Sequence, residues 1–241
     1  MKTVLVTGGA RGIGRAVCRR FGQDGYAVAI LYHNSARAAQ ELARELTQLG
    51  CDTLALQADV AQRAQTAACV ETVLDAWGGI DVLVNNAGVA LTGLLQDNTD
   101  EELRRLFDVN LFGTLYAIQS ALPSMIRRQS GSIVNLSSIW GVTGASCEAA
   151  YSASKAAVIG LTKALAQEVG PSGVTVNCVA PGVIDTEMNA HLSAEDRAAL
   201  CAATPLGRFG SPEETAEAVY YLATAGFVTG QVLSPNGGLV V

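Results

Sequence analysis

Residues 2–9, KTVLVTGG, run straight into ARGIG at 10–14, and this junction restricts the chain more than any other stretch. A short apolar run without polar alternation reads as a strand buried on both faces. The glycines at 8, 12 and 14 let the backbone turn sharply and pass close to a ligand, while free N–H groups at the start of the next helix attract a pyrophosphate. The spacing is GxxxGxG rather than the more general GxGxxG. Strand, glycine turn and helix in this order predict the opening unit of a dinucleotide-binding sheet. A tight turn with no ligand is the other reading of these residues taken alone.

The rest of the chain repeats the alternation. Ile13, Val17 and Phe21 recur at helical spacing until Gly25; YAVAILY and TLALQADV read as strands on either side of a helix opened by Ser35 and closed by Gly50. A helix to about Trp77, the strand IDVLVNNAG, a long helical stretch around Asn110 ending near Arg128, and the strand GSIVNLSS follow. A helix over 151–169, the strand GVTVNCVAPG, a polar segment of about 25 residues, a helix from Pro212 and a last strand in GQVLSPNGG complete the order. Near-continuous apolar strands between helices predict an α/β fold: a Rossmann-like, doubly wound parallel sheet with helices on both faces. With 241 residues and no linker or repeat, one domain over 1–241 is expected.

Composition removes several functions. A net charge of −6 argues against nucleic-acid binding, and no apolar run is long enough to cross a membrane. The N-terminal run breaks at glycines, which suits a first strand and not a signal peptide. Cys18, Cys51, Cys69, Cys147, Cys178 and Cys201 contain no CxxC pair, so neither a disulfide framework nor a zinc or other metal site is expected, and a soluble cytoplasmic protein is.

The glycine turn together with NNAG at 85–88, YSASK at 151–155 and PG at 181–182 resembles the short-chain dehydrogenase/reductase family, over essentially the whole chain and in the family's order. The resemblance implies a nicotinamide cofactor along the carboxyl edge of the sheet. Gly8, Gly12, Ile13 and Gly14 would face its phosphates, and Asp59 and Val60 its adenine. Asn86, Ala87 and Gly88 would line the ribose side, and Pro181, Gly182 and Ile184 would hold the nicotinamide. An acidic residue at the end of the second strand would select NAD, but this chain has Tyr32, His33, Asn34 and Ser35 there. Arg11, inside the turn, occupies the place where similar reductases pair an arginine with the extra phosphate of NADP, and Arg37 could add a donor. NADPH is therefore favoured over NADH. Arg11 as a solvated helix-start residue and His33 as an ordinary loop residue are the plainer alternatives.

Tyr151 and Lys155 lie four apart, on one helical face. Bringing a phenol from a pKa of about 10 to about 7 takes roughly 4 kcal/mol. One positive charge about 4 Å away, at an effective dielectric of about 20, supplies about that much. The pair thus predicts a phenol made acidic by an ammonium, aided by the positive oxidised nicotinamide, although a packed tyrosine and a snorkelling lysine have the same spacing. The resemblance adds Ser138, thirteen residues before Tyr151, to hold a substrate oxygen, and Asn110 to fix a helix and a water near the lysine. Strand alternation lets only one of Ser137 and Ser138 face the site, and Ser138 has the family spacing. The implied reaction is carbonyl reduction by hydride transfer, with Tyr151 giving the proton.

The tail LGRFGSPEETAEAVYYLA, TGQVLSPNGG and the helix around YSASK are most similar to the 3-oxoacyl-[acyl-carrier-protein] reductase group. A 3-oxoacyl thioester on an acyl carrier protein is the implied substrate, with Arg127 and Arg128 as a basic landing patch. A steroid, sugar or small ketone, or an NADP-binding protein without catalysis, are the alternatives. GPSG after the catalytic helix lacks a basic residue, and TAGFVTG is shorter than in such relatives. Residues 185–207 are expected to cover the substrate as a lid, with Met188, Leu192 and Leu200 on its apolar side and His191 at its surface. Relatives imply a homotetramer, with a dimer next, and the apolar ending GGLVV fits burial against another subunit.

Overall fold

A computed structural model describes residues 1–190 and 192–240; His191 and Val241, and the expectations placed on them, lie outside the described residues. The elements in order are β1 (Thr3–Thr7), α1 (Gly12–Gln23), β2 (Ala27–Tyr32), α2 (Ala36–Gln48), β3 (Thr53–Gln57), α3 (Arg63–Trp77) and β4 (Val82–Asn85). Then come α4 (Asp100–Phe107), α5 (Gly113–Arg128), β5 (Gly131–Leu136), α6 (Ile139–Thr143) and α7 (Ala149–Val169). The last are β6 (Val174–Val179), α8 (Ala194–Ala203), α9 (Pro212–Thr224) and β7 (Val232–Leu233).

All pairings are parallel, in the order β3-β2-β1-β4-β5-β6-β7. Alternate residues of each strand serve opposite layers, as the pleat requires. Val4, Val6, Val28 and Ile30 pack with Phe21, Leu42, Leu46 and Val219, from α1, α2 and α9. Leu5, Ala29 and Leu31 pack with Val70, Val73, Met125 and Leu165, from α3, α5 and α7. Each such fully buried Leu, Val or Phe contributes about 1.5–3 kcal/mol, so the layers are held by the strands' lack of any polar face.

The chain winds outward from β1 through β2 to β3, then returns to the other side of β1 at β4. That reversal opens a crevice at the carboxyl ends of β1 and β4, where Thr7 stands beside Asn85. Four details differ from the sequence expectations. The long helix around Asn110 is interrupted by a π turn, Asp108–Phe112, between α4 and α5. The helix expected over 151–169 starts at Ala149 and is preceded by α6, which forms in a Gly- and β-branched-rich stretch. The polar segment contains α8. Finally, β7 holds only two residues, because Pro235 and the following glycines end the ladder. Among the described residues no helix is long and apolar enough to cross a membrane.

Candidate active site

The glycine turn is built by contacts that admit no side chain. Gly8 and Gly12 have φ of 64° and 51°, a region that costs other residues steric strain. Asn86, just beyond β4, locks the turn: its Nδ2 donates to the carbonyls of Thr7 and Gly8, both at 3.0 Å. The backbone N–H groups of Asn86 and Ala87 donate to Thr7 Oγ1 at 3.0 and 3.1 Å. Gly14 corrects the expectation that it faces a phosphate. It is buried behind the turn, and a Cβ there would lie 2.2 Å from the Gly8 carbonyl oxygen and 2.6 Å from Asn86 Nδ2. Its role is to bring α1 onto the strand end.

The crevice above this turn encloses about 800 Å³, ample for a dinucleotide. Gly8, Arg11, Gly12 and Ile13 line one end, with Tyr32, His33, Asn34, Ser35, Asp59 and Val60 beside them. Asn86, Ala87 and Gly88 line the middle, and Ser138, Tyr151, Lys155, Pro181, Gly182 and Ile184 the other end. Bare backbone at the phosphate position and a long crevice over the switch point fit a nicotinamide dinucleotide.

At the end beside β2 no carboxylate stands at the strand tip. The nearest, Asp59, is engaged by Arg105 Nη1 at 2.8 Å. Burial pushes the Asp59 carboxyl up, yet the bonds from Arg105 and the Ala61 N–H prevail and hold it below the usual range. Arg37 is 92% exposed and pairs with Glu41 on the outside of α2, so it contributes no donor here. Arg11 is at the crevice, its Nη1 2.7 Å from Glu187 Oε2.

At the other end α7 carries Tyr151 and Lys155 on one face, as the spacing predicts, and both are buried. The lysine head is not solvated. Its Nζ donates to the Leu136 carbonyl at 2.9 Å and stands 5.8 Å from the centre of the Tyr151 ring. Burial lowers the Lys155 pKa to about 8, with Cys178 opposing. Tyr151 is pushed up to about 12, first by burial and then by the Glu148 charge, against a hydrogen bond with Ser138 that lowers it. Without a cofactor, then, the phenol is shifted away from acidity: Tyr151 is buried in a cluster with Leu106, Ala150, Val89 and Trp140, and the ammonium is directed at a backbone carbonyl.

Both serines line the crevice, contrary to the expectation that only one would, because they lie just beyond the end of β5, but their bonds differ. Ser137 Oγ donates to the Lys155 carbonyl at 2.8 Å, fastening β5 to α7. Ser138 caps α6, accepting from the Trp140 N–H at 3.2 Å, and lines the crevice beside Tyr151. Asn110 is buried below the crevice floor. Its Oδ1 accepts from the Val89 N–H at 2.9 Å, and its Nδ2 donates to the Val89 carbonyl and Ser154 Oγ, each at 3.0 Å. The π turn aims this side chain inward, joining the loop after β4 to α7. A Cβ on Gly88 would sit 3.3 Å from both Asn110 Oδ1 and Lys155 Nζ, so glycine keeps that gap open.

Ser154, Arg105 and Glu187 were missed from the sequence. Ser154 could have been found, three residues after Tyr151 on the same helical face; the other two sit in ordinary charge runs with no local signal. Of the supposed landing arginines, both exposed, Arg128 pairs with Asp81 at 2.8 Å and donates to the Ile80 carbonyl.

The family model for short chain dehydrogenases matches residues 2–197. The 3-oxoacyl-[acyl-carrier-protein] reductase FabG of Staphylococcus aureus is 42% identical over 240 residues, covering 99% of this chain and 98% of that protein. The 3-oxoacyl-[acyl-carrier-protein] reductase of Synechocystis is 39% identical, covering 100% and 97%. FabG of Chlamydia trachomatis is 41% identical, covering 99% and 97%.

Proposed function

Because this chain belongs to the short-chain dehydrogenase family of NAD(P)-dependent oxidoreductases, we propose that it reduces the 3-keto group of an acyl thioester, carried by an acyl carrier protein, with NADPH. The observation that carries the reaction is the Tyr151 phenol, which lines the crevice wall together with Ser138 and Lys155. When bound, the nicotinamide supplies hydride. Ser138 Oγ and Tyr151 Oη together hold the carbonyl oxygen, and Tyr151 Oη gives that oxygen its proton.

A phenol at about 12 keeps its proton at neutral pH, which is the form in which Tyr151 can act as the acid. Acting as base at pH 7 would cost about 7 kcal/mol unless bound ligands first lowered it. Lys155 holds the Leu136 carbonyl and keeps α7 on β5, and Asn110 anchors the same helix from the other side. NADPH is supported by Arg11 and by the absence of an acid at the tip of β2. The thioester is supported by the names of the full-length relatives.

Met188, Leu192 and Leu200 line the crevice, which supports residues 185–207 as a substrate lid. Arg127 and Arg128, exposed at the end of α5, would be the contact for an acidic carrier. The same reading extends to a cytoplasmic homotetramer, to which the exposed Phe112 and the adjoining Tyr116 ring on α5 would contribute.

Purified protein should oxidise NADPH with an acetoacetyl thioester, with higher kcat/KM than with NADH. Tyr151→Phe should keep cofactor binding and lose most turnover. Normal turnover by that variant would remove the phenol from the reaction, and turnover only with sugars or steroids would remove the thioester.

A further inference from the structure

The segment after β6 returns across the crevice and touches the glycine turn at two adjacent residues. Thr186 packs on Gly12, where a Cβ would lie 3.5 Å from Thr186 Cγ2. Glu187, the next residue, places Oε2 2.7 Å from Arg11 Nη1. A short turn over Glu187–Asn189 fixes the approach, with Asn189 Nδ2 donating to the Ile184 carbonyl at 2.7 Å. Glu187 thus reaches Arg11 from an anchored backbone. A guanidinium carries five N–H donors in one plane, and Glu187 takes Nη1, so a phosphate that binds Arg11 through Nη1 competes with it.

We propose that Glu187 is a specificity-determining residue of the cofactor crevice, acting as a resident counter-ion that a ribose 2′-phosphate must displace from Arg11. This rests on the NADPH reading above. A 2′-hydroxyl, having no charge, leaves the Arg11–Glu187 pair closed; a 2′-phosphate takes the guanidinium and releases Glu187 together with the strap over Gly12. Glu187 therefore reduces the advantage of the phosphorylated ribose, and links its arrival to the segment that leads into α8.

The test uses ligands without a nicotinamide. Binding of 2′,5′-ADP and 5′-ADP is measured by calorimetry on the wild type, Glu187→Gln, Arg11→Ala and the double variant. Glu187→Gln should tighten 2′,5′-ADP about threefold to fivefold, the scale of an exposed ion pair, and leave 5′-ADP within about twofold. In the Arg11→Ala background the selective gain should vanish. Equal tightening of both ligands, weaker 2′,5′-ADP binding by Glu187→Gln, or a gain that persists without Arg11 would overturn the proposal. A wild type that binds 5′-ADP as well as 2′,5′-ADP would instead refute the NADPH reading itself.

Discussion

Replacing Lys155 by methionine exposes the energetic cost of the buried ammonium. Burial lowers this lysine from 10.5 to about 8. Below pH 8 the group is protonated in both folded and unfolded chains, and the folded chain bears the difference, about 3 kcal/mol. Between pH 8 and 10.5 the unfolded chain binds more protons than the folded one, so wild-type stability rises with pH until the penalty is gone. Methionine keeps the bulk of the stem and has no such dependence, but it leaves the Leu136 carbonyl without its donor, at about 1–3 kcal/mol. At pH 7 the variant should therefore be as stable as wild type or up to about 2 kcal/mol more stable. Across pH 8 to 10.5 wild type should gain about 3 kcal/mol on it. Urea unfolding of both proteins without cofactor, at intervals from pH 7 to 10.5, gives the difference directly. Tyr151 and the buried thiols titrate in both proteins and largely cancel. A stability difference independent of pH would refute the reasoning, and so would a variant that gains on wild type as pH rises.

Gly14→Ala should destabilise by about 3–5 kcal/mol, combining overpacking with loss of the Asn86 bonds to the turn. A thermal midpoint within about 2 °C of wild type would show that the turn yields cheaply. Asn110→Ala removes three buried hydrogen bonds to Val89 and Ser154 and should cost about 3–5 kcal/mol, with faster amide exchange at Val89. Unchanged exchange there would mean that the loop after β4 is held by something other than this side chain.

What the sequence made legible is what local geometry determines. The run of apolar residues in β1 and β2 specifies burial on both faces, because a strand without a polar face has nowhere else to go. Four-residue spacing on a helix places Tyr151 beside Lys155 whatever the surroundings. The partners that stayed hidden are distant in the chain. Glu187 meets Arg11 across 176 positions, and Arg105 meets Asp59 across 46, from charge runs that resemble any solvated helix face.

The sign of the Tyr151 shift shows why proximity and energy separate. Spacing brings an ammonium near a phenol, and Coulomb attraction alone then predicts an acidic tyrosine. Whether that attraction wins depends on how much water the ring has lost, which is set by Leu106 on α4, Val89 after β4 and Trp140 on α6, none of them sequence neighbours. It also depends on where the ammonium points, and the Leu136 carbonyl at the end of β5 claims it. The same packing that drives the phenol up drives the lysine down, so neither charge is stabilised until something polar enters the crevice. The chain thus builds a site whose two titrating groups are both held nearer their neutral forms. Ligands that bring charge to the crevice will shift both, in directions that a titration of the protein with 2′,5′-ADP would resolve.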